Sequence, residues 1–414
     1  MIRHNSTIFL SILALAAFPG ISWNSSAGYA DSGTEQIRSD RHGVDARIPL
    51  VRLPESDMPF GQALIAISST VGGELTGVAV VPAAVEEEIG RLADRVRPAL
   101  RGRNDPREVI STLNRFLFVE EGFVYDGVAG NPDNYLLDRV IARRRGNCLG
   151  LTALYLLLAE DLSIPMFGVY LPSHCFVRYE DAGVRINIET GEKGGEWADE
   201  RYLREFRLAG RGSYLRSLSG KEMVAVYLKS LGATFSRKKR DDAALRLYRE
   251  AALLYPTLPD LYFNVGVSFH TKGMRKEAIE QYRRALALDP DLDVARDNLG
   301  AVLVKEGRPE EALAEARKAM GRNPGNLFSR GNLAAALCAL GLTEDGIREY
   351  REVLEIESDN PRALAGLAKA HYARREFHEA IAACDRALAL GCKFDPAMLG
   401  VLEQYREPSP DVVP

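Results

Sequence analysis

The chain reads as an α+β domain over residues 47–215 followed by an all-α solenoid of helical repeats over residues 225–394, a division that rests on a change of pattern and a change of period. Before residue 215, helical spacing alternates with short runs of period two; after residue 225, a 34-residue period takes over. With 414 residues, 27% charged and 46% hydrophobic, there is apolar material for more than one core. Fifty-three Lys and Arg against 57 Asp and Glu give a formal charge of -4, so no global positive field exists to hold nucleic acid or an anionic membrane.

Residues 1–30 have the make-up of a cleavable export signal: Arg3 near the start, an apolar run from Ile8 to Phe18, a Pro19-Gly20 breaker, and small residues up to Ala30. That run is far shorter than the roughly 20 residues a membrane span needs, and no later uncharged run reaches this length. No cysteine precedes Cys148, which leaves no thiol for a lipid anchor at the cleavage point. The expected product is periplasmic or secreted, with no membrane span and no nucleic-acid partner. Residues 31–46 are polar and predicted to be a disordered linker. The five cysteines, Cys148, Cys175, Cys338, Cys384 and Cys392, show no CxxC spacing and no Cys/His cluster, so neither a metal nor another cofactor is expected.

Five units fill the second half. Leu231-Gly232, Val265-Gly266, Leu299-Gly300, Leu333-Ala334 and Leu367-Ala368 follow one another at intervals of 34. Small residues keep phase with them: Ala244, Ala278, Ala312, Gly346 and Ala380, then Ala251, Ala285, Ala319 and Ala387, with Val353 in the fourth unit. Such positions let two helices approach closely, and Pro256, Pro290 and Pro324 end the second helix of the first three units. The pattern resembles the tetratricopeptide repeat, which implies a solenoid whose first helices line a concave groove, with residues 395–414 as capping helix and tail. Asn264, Asn298 and Asn332 hold the same position in three consecutive units. Their amides, each both donor and acceptor, could pair with the backbone of an extended peptide or with neighbouring helices.

The first half carries the candidate chemistry. Helices are predicted at 84–99, at 106–120 where Asp105-Pro106 supplies cap and first-turn proline, and at 135–144, ending in the basic run Arg143-Arg144-Arg145, a solvated helix end or an anion site. The stretch from Ala63 to Val81 looks strand-like, with turns at Gly72-Gly73 and Gly77. Gly146-Asn147-Cys148 opens an apolar helix with Leu151, Leu154, Tyr155, Leu158 and Leu162 at helical spacing. Cys148 thus stands at a helix N-terminus, where dipole and free amides stabilise a thiolate.

Beyond Ile164-Pro165, three strands are predicted: 166–170, 174–179 and 184–189. Pairing Tyr179 with Val184 puts His174 opposite Glu189, and sets Arg178 uncomfortably opposite Arg185. Cys175 falls on the other face and is expected to stay out of the site, a Cys148–Cys175 disulfide being the competing assignment for both. Cys148, His174 and Glu189 are the parts of a Cys-His-acid triad, with His174 taking and returning the proton and Glu189 fixing its tautomer.

Gly-Asn-Cys before a helix, and Ser-His-Cys-Phe-Val (173–177) before Asn-Ile-Glu-Thr (187–190), resemble the transglutaminase-like superfamily, and most nearly its bacterial SirB-type branch, in which such a domain precedes tetratricopeptide repeats. Phe116-Leu117-Phe118, Glu120-Glu121-Gly122-Phe123, Tyr135-Leu136 and Leu171-Pro172 match that branch. The resemblance implies a papain/transglutaminase-like α+β fold ahead of the tetratricopeptide solenoid. Many members of the branch lack the cysteine and are regarded as non-catalytic; this chain keeps all three triad types, with Glu189 for the usual Asp and Phe176 for a frequent Trp.

Two functions are open at this stage. One is a thiol acyl-transfer enzyme, a peptidase, amidase or cross-linking transglutaminase, working through Cys148 on protein substrates that the solenoid recruits. The other is a non-catalytic scaffold holding extended peptides in the solenoid groove.

Overall fold

The computed structural model describes residues 60–78, 81–128, 130–208 and 214–406. The expected export signal and linker lie outside these. The described chain forms two compact bodies, one of residues 60–268 with 287–291 and the other of residues 269–286 with 292–406.

In the first body the chain opens with α1 (Phe60–Thr76), α2 (Pro82–Leu100) and α3 (Pro106–Arg115), the last continued by a π-helical turn over Phe116–Glu120. Asp105 caps α3 through the Arg107 amide at 2.7 Å, as its sequence predicts. The strand-like reading of 63–81 is corrected: α1 buries Ala63, Leu64, Ile67, Val71 and Leu75 at helical spacing, and carries Gly72-Gly73 within the helix. A helix buried on several sides has no polar face, so its run of apolar residues is indistinguishable from a core strand by periodicity alone.

Next come β1 (Val124–Tyr125), α4 (Leu137–Arg143), β2 (Arg145–Gly146) and α5 (Cys148–Asp161). β1 and β2 pair in parallel, Tyr125 beside Gly146. The arginine run is structural: Arg144 enters the left-handed region at φ 51°, bonds Glu121 at 2.9 Å and covers the Phe123 ring, while Arg143 donates to Asn134.

A four-stranded antiparallel sheet follows, β3 (Met166–Leu171), β4 (His174–Asp181), β5 (Val184–Glu189) and β6 (Gly195–Glu196), in that spatial order. The β4–β5 ladder pairs Val177 with Ile188 and Asp181 with Val184, two residues out from the predicted register. The turn explains the difference. Ala182 (φ 46°) and Gly183 (φ 83°) form a two-residue loop with both residues in the left-handed region, the geometry of a type I′ hairpin, so the strands run one pair further towards the tip than symmetric guessing allowed. A slip of two preserves the faces. The expected Arg178–Arg185 clash disappears, since Arg178 lies opposite Asn187 and Arg185 opposite Glu180, with which it pairs at 2.8 Å.

α6 (Asp199–Glu205) and α7 (Gly220–Arg237) complete the α+β region, α7 being the first helix of the first repeat. A capping box between Ser219 and Glu222 starts α7. Buried polar contacts fasten it within this body: Tyr227 donates to the Tyr135 carbonyl at 2.5 Å, and Lys229 donates at 2.6 Å to the Tyr170 hydroxyl, which donates at 2.9 Å to Asp260.

The repeats continue as α8 (Asp241–Leu254), α9 (Pro259–Thr271), α10 (Arg275–Leu288), α11 (Asp293–Lys305), α12 (Pro309–Arg322), α13 (Leu327–Ala339), α14 (Thr343–Ile356), α15 (Pro361–Ala373) and α16 (Phe377–Ala389). With α7 these make five helix pairs. The phased small residues Ala278, Ala285, Ala312, Ala319, Ala380 and Ala387 are buried at the helix contacts. Gly346 has the same role: a Cβ there would collide with Cys338 Sγ and stand 2.8 Å from the Ala334 carbonyl. α17 (Pro396–Glu403) closes the end, burying Met398 and Leu402 against Ala380 and Cys384. No helix among the described residues is long and apolar enough to cross a membrane.

Candidate functional site

Asn147 begins the site. Its side chain accepts from the Gly150 amide at 2.9 Å, capping α5, and its own amide donates to the Asn134 carbonyl at 2.8 Å. α5 can sit this close only because residue 150 is glycine; a Cβ there would collide with the Asn134 carbonyl. Cys148 is the first residue of the helix, with Leu149 and the rest of the first turns buried behind it.

The three expected triad residues come together. His174 Nε2 stands 2.8 Å from Glu189 Oε2, His174 being 14% and Glu189 3% exposed at the side chain. They meet diagonally rather than directly across the ladder, because the two-residue slip sets Glu189 alongside Phe176. Glu189 is fixed from two further sides: Oε1 accepts the Gly191 amide at 2.9 Å, and Oε2 accepts the Tyr202 hydroxyl at 3.1 Å. With Nε2 engaged, Nδ1 is the ring nitrogen left for the Cys148 sulfur, which lies near enough for the two groups to shift each other's protonation.

Electrostatics favour an ion pair. The Cys148 thiol is held well below its ordinary value, first by a hydrogen bond from the Cys175 thiol, with burial opposing, and then by the bond and charge of His174. Burial would push His174 down, but its bonds to Cys148 and Glu189 and their negative charges more than reverse this and hold it at about 10. Cys175 is pushed well above its ordinary value by burial and by the Cys148 charge, so it remains a thiol and donates. Both cysteines are free.

That contact corrects the expectation that Cys175 stays out of the site. Strand alternation does place it on the face opposite His174, but that is the face on which α5 packs, and the start of α5 brings Cys148 to the strand's first residues, within reach of both. Alternation tells which face a residue takes and not where a neighbouring helix ends.

Three more residues shape the site without having been singled out. Tyr202 stacks on Phe176 at 4.0 Å between centroids, and Phe206 stacks on His174 at 4.8 Å. Their only signal was an aromatic pair four apart on a short helix. α6, which carries Tyr202, is fixed by Arg178: this fully buried guanidinium donates to Asn187 (2.7 Å), Asp199 (2.7 Å) and the Leu215 carbonyl (2.8 Å). Tyr125 is the third. Its phenol, pushed up to about 12 by burial and then by the charges of Cys148 and Glu189, stands over Gly191 at the side of the site.

The groove asparagines differ among themselves. Asn332 is buried, donating at 2.7 Å to the Asp297 carbonyl and accepting from Arg362 at 3.2 Å, so its amide joins three helices. Asn298 is half-buried and donates to the Val294 carbonyl of its own helix at 2.8 Å. Asn264 is half-buried and belongs to the first body, whereas the other two belong to the second. Among the described residues, no group of three His, Cys, Asp or Glu side chains is placed to hold a metal ion.

This fold and site define a transglutaminase-like domain joined to tetratricopeptide repeats, and family comparisons agree: residues 83–218 match the transglutaminase-like superfamily, and residues 259–292 and 332–392 match tetratricopeptide repeat models. The chain carries this domain in its SirB-type form. It is 28% identical over 175 residues to a UPF0162 protein of Xylella fastidiosa, across 38% of this chain and 60% of that protein. It is 23% identical over 201 residues to SirB1 of Salmonella typhimurium, across 46% of this chain and 74% of SirB1. Among solved structures, the tetratricopeptide protein YrrB is similar at 19% identity and TM-score 0.36, covering 50% of this chain and 98% of YrrB.

Proposed function

We propose that the protein is an exported thiol acyl-transfer enzyme, a peptidase or amidase by preference, acting on protein substrates that its tetratricopeptide repeats recruit. The observation that carries this is the fixed 2.8 Å contact between His174 Nε2 and Glu189 Oε2, with Cys148 at the start of α5 close enough to lower its own thiol and raise the same imidazole. The export half rests on the make-up of residues 1–30.

The resting state is a Cys148 thiolate beside a His174 imidazolium. The thiolate attacks a carboxamide or peptide carbonyl carbon, forming the S–C bond and moving the π pair onto oxygen. The Cys148 and Leu149 amides, the first-turn donors that the Asn147 cap does not take, serve this oxyanion with the positive end of the helix dipole behind them. Collapse breaks the C–N bond while His174 Nδ1 gives its proton to the leaving amine, leaving a thioester. Water or an amine then attacks, with Nδ1 taking its proton, and thiolate release restores the ion pair. Glu189, held by Tyr202 and the Gly191 amide, keeps the ring turned for both transfers.

Mixing with p-nitrophenyl acetate tests this without knowledge of the natural substrate. The reading predicts a burst of one equivalent of p-nitrophenol and an acetyl group on Cys148 by peptide mass. Absence of that burst, or its survival in Cys148→Ala, would reject the reading.

A further inference from the structure

Aromatic rings surround the His174 imidazole. Phe206 is stacked on it, with ring centroids 4.8 Å apart and planes 21° from parallel, while Tyr202 and Phe176 stand further off at 6.2 and 6.5 Å and at 32° and 31°. Those two pack chiefly on each other, at 4.0 Å and 10°. Phe206 is thus the ring whose face meets the imidazole.

Its backbone is pinned there. Phe206 directly follows α6, four residues after Tyr202, and its amide donates to the Tyr202 carbonyl at 3.0 Å. Arg207 then enters the left-handed region at φ 51°, its amide donating to the Arg204 carbonyl at 3.3 Å and the Leu208 amide to the Leu203 carbonyl at 3.0 Å, the pair of bonds that closes a helix end. α6 is tied to the sheet at its other end through Asp199, which accepts from Arg178 at 2.7 Å and from Asn187 at 2.8 Å. The side chain is half-buried, so the ring has little room to swing away.

The proton transfers ask two things of His174 that Glu189 alone does not supply. The 2.8 Å bond at Nε2 fixes one ring atom and leaves the ring plane to rock about it, and that plane decides where Nδ1 points. The ring must also carry a charge with only 14% of its side chain exposed, a setting that disfavours the imidazolium. An aromatic face within about 6 Å of a cation answers both: stacking sets the plane, and the negative face of the ring attracts the charge. The other polar groups around the imidazole are Glu189 from β5, Cys148 from α5, Cys175 next to it in β4, and the Tyr202 phenol from α6, which donates to Glu189 at 3.1 Å.

We propose that Phe206 is a positioning residue, whose face holds the His174 ring in its working plane and favours the imidazolium over the neutral imidazole. Its consequence for rate rests on the acyl-transfer reading given above, whereas its effect on the imidazole needs no substrate.

The test is the NMR titration of carbon-13-labelled histidine in the full mature chain carrying Cys148→Ala, where His174 titrates without a thiolate beside it; its signal is identified by its loss in His174→Gln. Fluorinated phenylalanines placed at position 206 keep the shape of the ring while draining electron density from its face. The His174 pKa is expected to fall as fluorines are added, by about half a unit or more across the series. Phe206→Leu is expected to lower it at least as far and to move the His174 ring proton downfield as aromatic shielding is lost, and Phe206→Tyr to leave both near the parent values. With Cys148 intact, Phe206→Leu is expected to slow acylation by an activated ester about tenfold at neutral pH with KM little changed, and Phe206→Tyr to recover the rate. A titration that does not fall across the fluorinated series would overturn the proposal whatever happens to the melting temperature, and so would a fall in Phe206→Leu that Phe206→Tyr shares. A fluorine-dependent titration in a protein whose Cys148 is never acylated would uphold the hold of Phe206 on the imidazole and reject the enzyme reading.

Discussion

His174 and Glu189 are bonded at 2.8 Å although the strands that carry them do not set them face to face. Diagonal neighbours on one face of an antiparallel pair are about 7–8 Å apart at Cα, a gap two long side chains can close. Here the extra methylene of Glu over Asp supplies reach. Tyr202 and the Gly191 amide then hold the carboxylate that this reach leaves flexible. Glu189→Gln is expected to lower the acyl-transfer rate by about 10⁴, as loss of the orienting acid does in comparable triads. Tyr202→Phe removes a single bond to a charged group and is expected to cost about tenfold. Steady-state rates with an activated ester measure both; equal rates for Glu189→Gln and wild type would remove the carboxylate from the mechanism.

Cys175 acts on the nucleophile through its S–H. Cys175→Ala removes that donor while changing little volume, and the apparent pKa of Cys148 is expected to rise. Alkylation of Cys148 against pH reads the shift directly. A pKa that stays put or falls in Cys175→Ala would mean the neighbouring thiol is mere packing.

His174 makes stability depend on pH. The unfolded imidazole titrates near about 6.5, and the folded one at about 10, so the folded state binds the proton more tightly. Its contribution is therefore fully present below about pH 6.5 and is lost as pH rises through about 10. Urea unfolding of wild type and His174→Gln at about pH 6 and about pH 10.5 should show the wild-type advantage shrinking with rising pH. An advantage that grew over this range would contradict the assigned direction.

The solenoid offers a matched pair of glycines. Gly346→Ala drives a methyl group into Cys338 and the Ala334 carbonyl and is expected to destabilise by about 1–3 kcal/mol. Gly331→Ala, in α13 with nothing within 4 Å of its new Cβ, is expected to stabilise by about 0.5–1 kcal/mol. Thermal melts of the two variants should move in opposite directions.

Much of this was legible in sequence because it depended on period. The 34-residue phase fixed which alanines meet at helix contacts, and Asn147-Cys148 before an apolar run placed the nucleophile at a helix start. What escaped depended on particular turns and ends. The Ala182-Gly183 turn set the hairpin two residues away from symmetric pairing, and the supposed Arg178–Arg185 clash was the trace of that error, since a like-charge pair at a buried position argues against the register that creates it. Arg178 proved to be a buried strut for α6. Tyr202, Phe206 and Tyr125 reach the site from segments with no periodic signal, and α1 hid because buried helices and buried strands are equally apolar.

The central claim is that Cys148 is ionised by His174 in the resting protein, and the pH dependence of iodoacetamide alkylation at Cys148, resolved peptide by peptide in wild type and His174→Ala, tests it most directly. The account predicts an apparent pKa well below that of a free thiol, about 8.5, in wild type, returning towards that value or beyond it when the imidazole is removed. A wild-type value near or above about 8.5, or one unchanged in His174→Ala, would contradict it.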